Sequence, residues 1–182
     1  MKKEVEIRIS LSDIEYNNIY NHLHNKINNM IMKNENDTYF VPNQYIQNTD
    51  KSPYILRIRN SNGKSLFTMK AFVDNKSSWI EEESEIINTT AIINIISYLK
   101  HKKFLEIKKK RYTCKIDNIE INLDKIENLG NFIELEIIHD DIKIAKNILK
   151  KFAIEEFNIH QLDIIDVGYV QLMNSKEDYQ NK

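Results

Sequence analysis

Charge and apolar side chain alternate without a break through Glu4-Val5-Glu6-Ile7-Arg8-Ile9. Period two belongs to a β-strand, whose successive side chains point to opposite faces. The pattern returns as Arg57-x-Arg59, Thr68-x-Lys70, Glu81-x-Glu83-x-Glu85, Lys109-x-Arg111, Glu120-x-Asn122-x-Asp124 and Glu134-x-Glu136. Seven strands would thus carry polar or like-charged residues on one face and apolar residues on the other. The apolar faces can make a core. The charged faces need either bulk water or a charged ligand, because packed like charges repel and lose solvation.

Local signals divide the rest of the chain. Strands are expected over 3–9, 35–41, 54–60, 64–73, 79–87, 104–115, 118–124 and 131–138. Ser10, Ser12 and Asp13 offer caps to a helix over 13–28, with Ile14, Ile19, Leu23 and Ile27 at helical spacing. A second helix follows Thr89 and Thr90, with Ile92, Ile95, Ile96 and Leu99 as its core positions. A third spans 140–157, where Asp140 and Asp141 suit the positive end of the helix dipole. A short helix falls in the stretch ending IIDVGYVQLM. The turn at 61–63 and the hairpin order make the sheet largely antiparallel. Eight strands in 182 residues suggest closure. The expected class is α+β: an eight-stranded, mainly antiparallel closed β-barrel with flanking helices. It forms a single domain over 1–174, followed by a polar tail at 175–182.

Several functions are excluded. The 26 basic and 27 acidic residues give no global basic field for nucleic acid. Glycine occurs only at 63, 130 and 168, too sparsely for a Walker loop or a dinucleotide-binding turn. Any phosphate must therefore be held by side chains. Cys114 is the single cysteine, so no internal disulfide or cysteine metal cluster can form. No apolar run approaches membrane-spanning length and no signal peptide opens the chain, so a cytoplasmic location is expected.

Two architectures fit the charged faces. In one, the sheet shows them to solvent. In the other they share a lumen with a ligand that is itself highly charged. Clustered Arg and Lys would hold a polyanion, and clustered Glu and Asp would hold a hard divalent cation bridging to it. Mg²⁺ typically binds through one or two carboxylates plus substrate phosphates. Acids and bases together therefore read as a metal–polyphosphate site.

In this order, EVEIR (4–8), DTYF (37–40), LRIR (56–59), TMK (68–70), EEESE (81–85), KKKRY (108–112) and NLDKIENLGNFIELE (122–136) resemble the motifs of the CYTH, or triphosphate tunnel metalloenzyme, superfamily. DTYF and LGNFIELE are most similar to the class IV adenylyl cyclase and thiamine-triphosphatase branches. The resemblance implies a closed tunnel with a triphosphate along it and Mg²⁺ or Mn²⁺ as cofactor. It places Glu4, Glu6, Asp124, Glu134 and Glu136 as metal ligands or near-ligands. It places Arg8, Arg57, Arg59, Lys70, Lys109 and Arg111 against the phosphates, with Lys109, Arg111 and Glu136 central to the chemistry. Glu81, Glu83, Glu85 and Tyr39 are additional site candidates. Three positions depart from the family pattern: Arg8 stands where Lys is usual, Trp79 where an Arg is frequent, and Ala71 where Gly is common.

The implied partner is ATP or a similar triphosphate, with no nucleic acid and no membrane; a homodimer is a family-level expectation. If the ribose 3′-hydroxyl attacks, ATP yields cyclic AMP and pyrophosphate. If water attacks, the protein is a triphosphatase acting on thiamine triphosphate, inorganic triphosphate or a nucleoside triphosphate. A non-catalytic nucleotide or polyphosphate sensor is the remaining alternative.

Overall fold

The computed structural model describes residues 3–47, 51–73 and 78–180. Eight strands form one sheet: β1 (Lys3–Leu11), β2 (Ile31–Pro42), β3 (Tyr54–Ser61), β4 (Lys64–Val73), β5 (Ser78–Ile86), β6 (His101–Ile116), β7 (Ile119–Ile126) and β8 (Gly130–His139). Four helices accompany them: α1 (Asp13–Lys26), α2 (Thr89–Tyr98), α3 (Ile142–Phe157) and α4 (Tyr169–Gln180). The fold is α+β, and the strand order is β1-β8-β7-β6-β2-β3-β4-β5. Neighbouring pairs run antiparallel, as in β1–β8, β7–β8 and β3–β4. Among the described residues, no helix is long and apolar enough to cross a membrane.

The expected closure is not met. The sheet ends at β1 and β5 and is not closed by hydrogen bonds. A physical reason lies at β1, whose outer edge is already paired. Ser10 N donates to Asp163 O at 3.0 Å and Ile165 N donates to Arg8 O at 2.8 Å. Helix α4 runs on to Gln180, through most of the polar residues from 175.

The chain divides into two compact units, 1–33 with 109–168 and 34–108 with 169–182. In the first, the apolar faces of β1, β7 and β8 build the core. Val5, Ile7, Ile9, Ile121, Leu123, Ile133, Leu135 and Ile137 are all buried there. Helix α3 lays Ala145, Leu149 and Ala153, four residues apart, onto this core. Asp141 caps it, its carboxylate accepting from Ile144 N at 2.9 Å. Helix α1 contributes Tyr16, Ile19 and Leu23, whereas Ile14 is exposed. Its start is a capping box: Glu15 N donates to Ser12 Oγ, and Ser12 N donates back to the Glu15 carboxylate. Ser12→Ala should therefore cost about 1 kcal/mol, read as a lowered thermal midpoint.

In the second unit, Phe40, Leu56, Ile58 and Ile96 form a smaller core, with Phe67, Met69 and Ile92 packed on it. Of the four positions expected to be core on α2, Ile96 is buried and Ile92 partly so. Ile95 and Leu99 are 51% and 63% exposed. The helix offers one narrow stripe to the sheet, and its composition is apolar well beyond that stripe.

Candidate active site

Register puts the charged residues of the first unit on one face. Across β1, β8, β7 and β6 the pairing gives one row of Arg8, Glu134, Asn122 and Thr113. The next row is Glu6, Glu136, Glu120 and Lys115. Asp124 lies opposite Arg111. Lys109 and Arg111 share this face, and Lys108 and Lys110 take the other, as strand alternation requires.

Half of the face is a buried ion network. The Arg111 guanidinium grips Asp124 with two bonds, Nε to Oδ1 at 2.7 Å and Nη2 to Oδ2 at 2.5 Å. Arg111 Nη2 also donates to Glu134 Oε2. Arg8 donates to the other Glu134 oxygen, Nε to Oε1 at 2.7 Å. Lys109 Nζ lies 4.0 Å from Asp124 Oδ2. Asp124 is fully buried and Glu134 nearly so. Burial pushes the Glu134 carboxyl upward, but Arg111, Arg8 and Lys109 prevail and hold it at about 2.

The adjoining row has the opposite character. Glu136 sits between Glu6 on one neighbouring strand and Glu120 on the other. Like charges directly opposite one another destabilise a sheet. Burial first, then Glu134, Glu4 and Glu6, raises the Glu136 carboxyl to about 7. Asn122 Nδ2 gives it a hydrogen bond at 3.3 Å. Its folded value thus lies above the ordinary 4.5. The fold favours its protonated form, so its contribution to stability is full below about pH 4.5 and is lost as pH rises through about 7. In metal-free buffer at pH 8, Glu136→Gln should stabilise the protein by about 2 kcal/mol, and the gain should vanish near pH 4.5. Thermal melts of both proteins across that range check it.

A divalent cation suits this row, because it would neutralise the excess negative charge. The donors are all oxygen, as Mg²⁺ and Mn²⁺ prefer. Among the described residues, no three His, Cys, Asp or Glu side chains stand as a ready-made ion cage. A small hard ion that keeps its waters and shares substrate phosphates needs no such cage.

The second unit carries its own charged face. Tyr39, Arg57, Thr68 and Glu83 form one row across β2, β3, β4 and β5, and Asp37 lies opposite Arg59. Arg59 holds Asp37 with two bonds, at 2.7 and 2.6 Å, and its Nη1 lies 3.4 Å from Glu35 Oε2. Arg57 Nη2 donates to Thr68, Glu81 and Glu83 at 3.0, 3.1 and 3.0 Å. Arg57 Nε is buried, with no hydrogen-bond partner among the described residues. Lys70 pairs with Glu81 at 2.6 Å and Lys64 with Glu85 at 3.2 Å. Glu81, Glu83 and Glu85 are therefore each the counterion of a base. Tyr39 is buried, its hydroxyl donates to Asp37 at 3.3 Å, and burial holds it protonated.

All the site residues expected from sequence thus fall on these two faces. Glu4, Glu6, Arg8, Lys109, Arg111, Asp124, Glu134 and Glu136 come together in the first unit. Tyr39, Arg57, Arg59, Lys70, Glu81, Glu83 and Glu85 come together in the second. The side chain of Trp79 lies outside the described residues, and Ala71 faces away from the charges. Two buried acids escaped the sequence reading, Glu35 and Asp37. Their signal was present, since Glu35-x-Asp37-x-Tyr39 carries the same alternation on β2.

Residues 2–169 match the CYTH domain. The protein "Putative adenylate cyclase MJ0240" of Methanocaldococcus jannaschii is 30% identical over 174 residues, covering 93% of this chain and 97% of the relative. The PH1012 protein of Pyrococcus horikoshii superposes with a TM-score of 0.76 at 23% identity, over 93% of this chain and 99% of that one. HpAC1 of Hippeastrum, described as a "putative adenylyl cyclase" with "a dominant triphophatase activity", superposes with a TM-score of 0.70 at 15% identity, over 97% and 96% of the two chains. On the strength of the match over residues 2–169, the chain belongs to the CYTH domain family.

Proposed function

We propose that this protein is a metal-dependent enzyme acting on a triphosphate-containing small molecule, with conversion of ATP to cyclic AMP and pyrophosphate as its reaction. The observation that carries the reading is the row Glu6–Glu136–Glu120 beside the buried cations Arg8 and Lys109 and the half-buried Arg111. An excess of carboxylates next to organised cations matches a divalent ion bound to polyphosphate better than a face meant only for water.

Glu136, Glu6 and Glu4 would hold Mg²⁺ or Mn²⁺. Held there, the ion would supply positive charge that offsets the charge of the phosphates. Asp124 and Glu134 belong to the ligand set that the family resemblance implies, but their oxygens are engaged by Arg111 and Arg8. We assign them the task of orienting those cations. Lys109 and Arg111 neutralise the triphosphate and stabilise the charge that develops on the departing pyrophosphate. The charged face of the second unit offers cations of its own, Arg57, Arg59 and Lys70, that suit phosphate. The unpaired Arg57 Nε supports this, since an anion would satisfy a buried donor whose orphaned state costs about 1–3 kcal/mol.

The cyclase reading is supported by the name of the M. jannaschii relative, which aligns over nearly its whole length. A triphosphatase is the second reading, supported by the description of the Hippeastrum protein. The two differ in the nucleophile, a ribose 3′-hydroxyl or water. Incubation with ATP and Mg²⁺ or Mn²⁺, with inorganic triphosphate and thiamine triphosphate in parallel, followed by chromatography, separates them. Cyclic AMP with pyrophosphate is the expected result. Free phosphate without cyclic AMP would establish the triphosphatase. No product, with ATP still raising the melting temperature, would make the protein a binding module.

A further inference from the structure

Arg8 differs from the other cations of the first unit in where its guanidinium reaches. Nε and Nη2 hold Glu134 at 2.7 and 2.5 Å, and Nη2 lies 3.2 Å from Glu6. Nη1 donates to the main-chain oxygen of Val167 at 2.6 Å, 159 residues along the chain. The backbone of the same segment is laid against β1. Asp163 O accepts from Ser10 N, and Ile165 N donates to Arg8 O. Ile164 bridges to Ile9 and packs on the core. Arg8 therefore fastens this segment twice, through its own carbonyl and through its side chain two residues further on.

The departure from lysine at this position gains a physical reason here. Lysine would keep the charge, but its ammonium is a compact point with three donors. The planar guanidinium spreads its donors over three nitrogens, here to Glu134, Glu6 and the Val167 carbonyl. We infer that Arg8 is a positioning residue: its one guanidinium straps residues 163–167 to the outer edge of β1 and fixes the orientation of Glu134 and Glu6. It does this in place of contacting phosphate. The strap stands on the geometry alone; its bearing on metal and triphosphate rests on the function proposed above.

The test compares the full-length wild type with Arg8→Lys. Hydrogen exchange is followed without metal or ligand, and Mn²⁺ alone and inorganic triphosphate alone are then titrated calorimetrically. In Arg8→Lys the Ile165 amide should exchange at least about tenfold faster. Ile121 and Leu135, paired across β7 and β8, should keep their wild-type rates. Mn²⁺ should bind about tenfold more weakly, as when a partner that orients a metal ligand is lost. Metal-free triphosphate affinity should stay within about twofold. Unchanged exchange at Ile165, or equal acceleration at Ile121 and Leu135, would overturn the strap. A tenfold loss of triphosphate affinity with Mn²⁺ affinity intact would make Arg8 a phosphate contact instead. If the wild type binds neither probe, the proposed function fails, and the exchange data alone decide the strap.

Discussion

Glu136→Ala is expected to lower metal-dependent turnover by at least about 100-fold while the protein stays folded. Loss of a group that merely orients a metal ligand costs roughly 10–100-fold, and loss of the ligand itself should reach the top of that range or pass it. The fold should survive because Glu136 is destabilising where it stands. Its carboxyl is raised to about 7 by burial and by the acids around it, so its removal relieves repulsion. Far-ultraviolet circular dichroism and a melt in chelator would report the intact fold, and a metal titration of the rate would report the lost function. Full activity in Glu136→Ala would remove it from the metal site.

Glu134→Ala should do the reverse. Glu134 is buried between Arg8 and Arg111, and its carboxyl is held at about 2. Deleting it takes one counterion from each guanidinium, while Arg111 keeps Asp124 and Arg8 keeps Glu6, so the cost is about 3 kcal/mol, the low end for breaking a buried pair. For a chain of this size the melting temperature should fall on the order of 10 °C. The sign of the pH effect is also opposite to that of Glu136. The folded value of Glu134 lies below 4.5, so its contribution is full above about pH 4.5 and disappears as pH falls through about 2. The destabilisation should thus be largest near neutrality and shrink in acid. A variant as stable as the wild type at pH 7 would show that the network holds nothing together.

These two glutamates stand two residues apart on one face of one strand, and the sequence treats them alike. Alternation shows that both face the charged side, because period two is a local property. Their separate fates come from register, which opposes Glu134 to Arg8 and Glu136 to Glu6. No local pattern fixes that pairing, so the motifs group Glu134 with Glu136 without showing that the Glu134 oxygens meet Arg8 and Arg111. The β5 glutamates show the same limit. EEESE reads as a cluster of acids, and only the packing of β5 against β4 and β3 reveals Lys70, Lys64 and Arg57 as partners of Glu81, Glu85 and Glu83. The closed barrel was inferred from strand count and hairpins. It is not met because residues 163–165, which carry no strand signal of their own, occupy the edge of β1. On α2 the apolar residues exceed what one helical stripe can bury, so Ile95 and Leu99 read as core and lie exposed.

A divalent ion and a polyphosphate should share the charged face of the first unit. Titration calorimetry of inorganic triphosphate into the wild-type protein, with and without Mn²⁺, tests it most directly. Binding is expected in both conditions, at least about tenfold tighter with Mn²⁺, with that metal-dependent gain lost in Glu136→Ala. Absence of binding in both conditions, or binding that Mn²⁺ leaves unchanged, would contradict it.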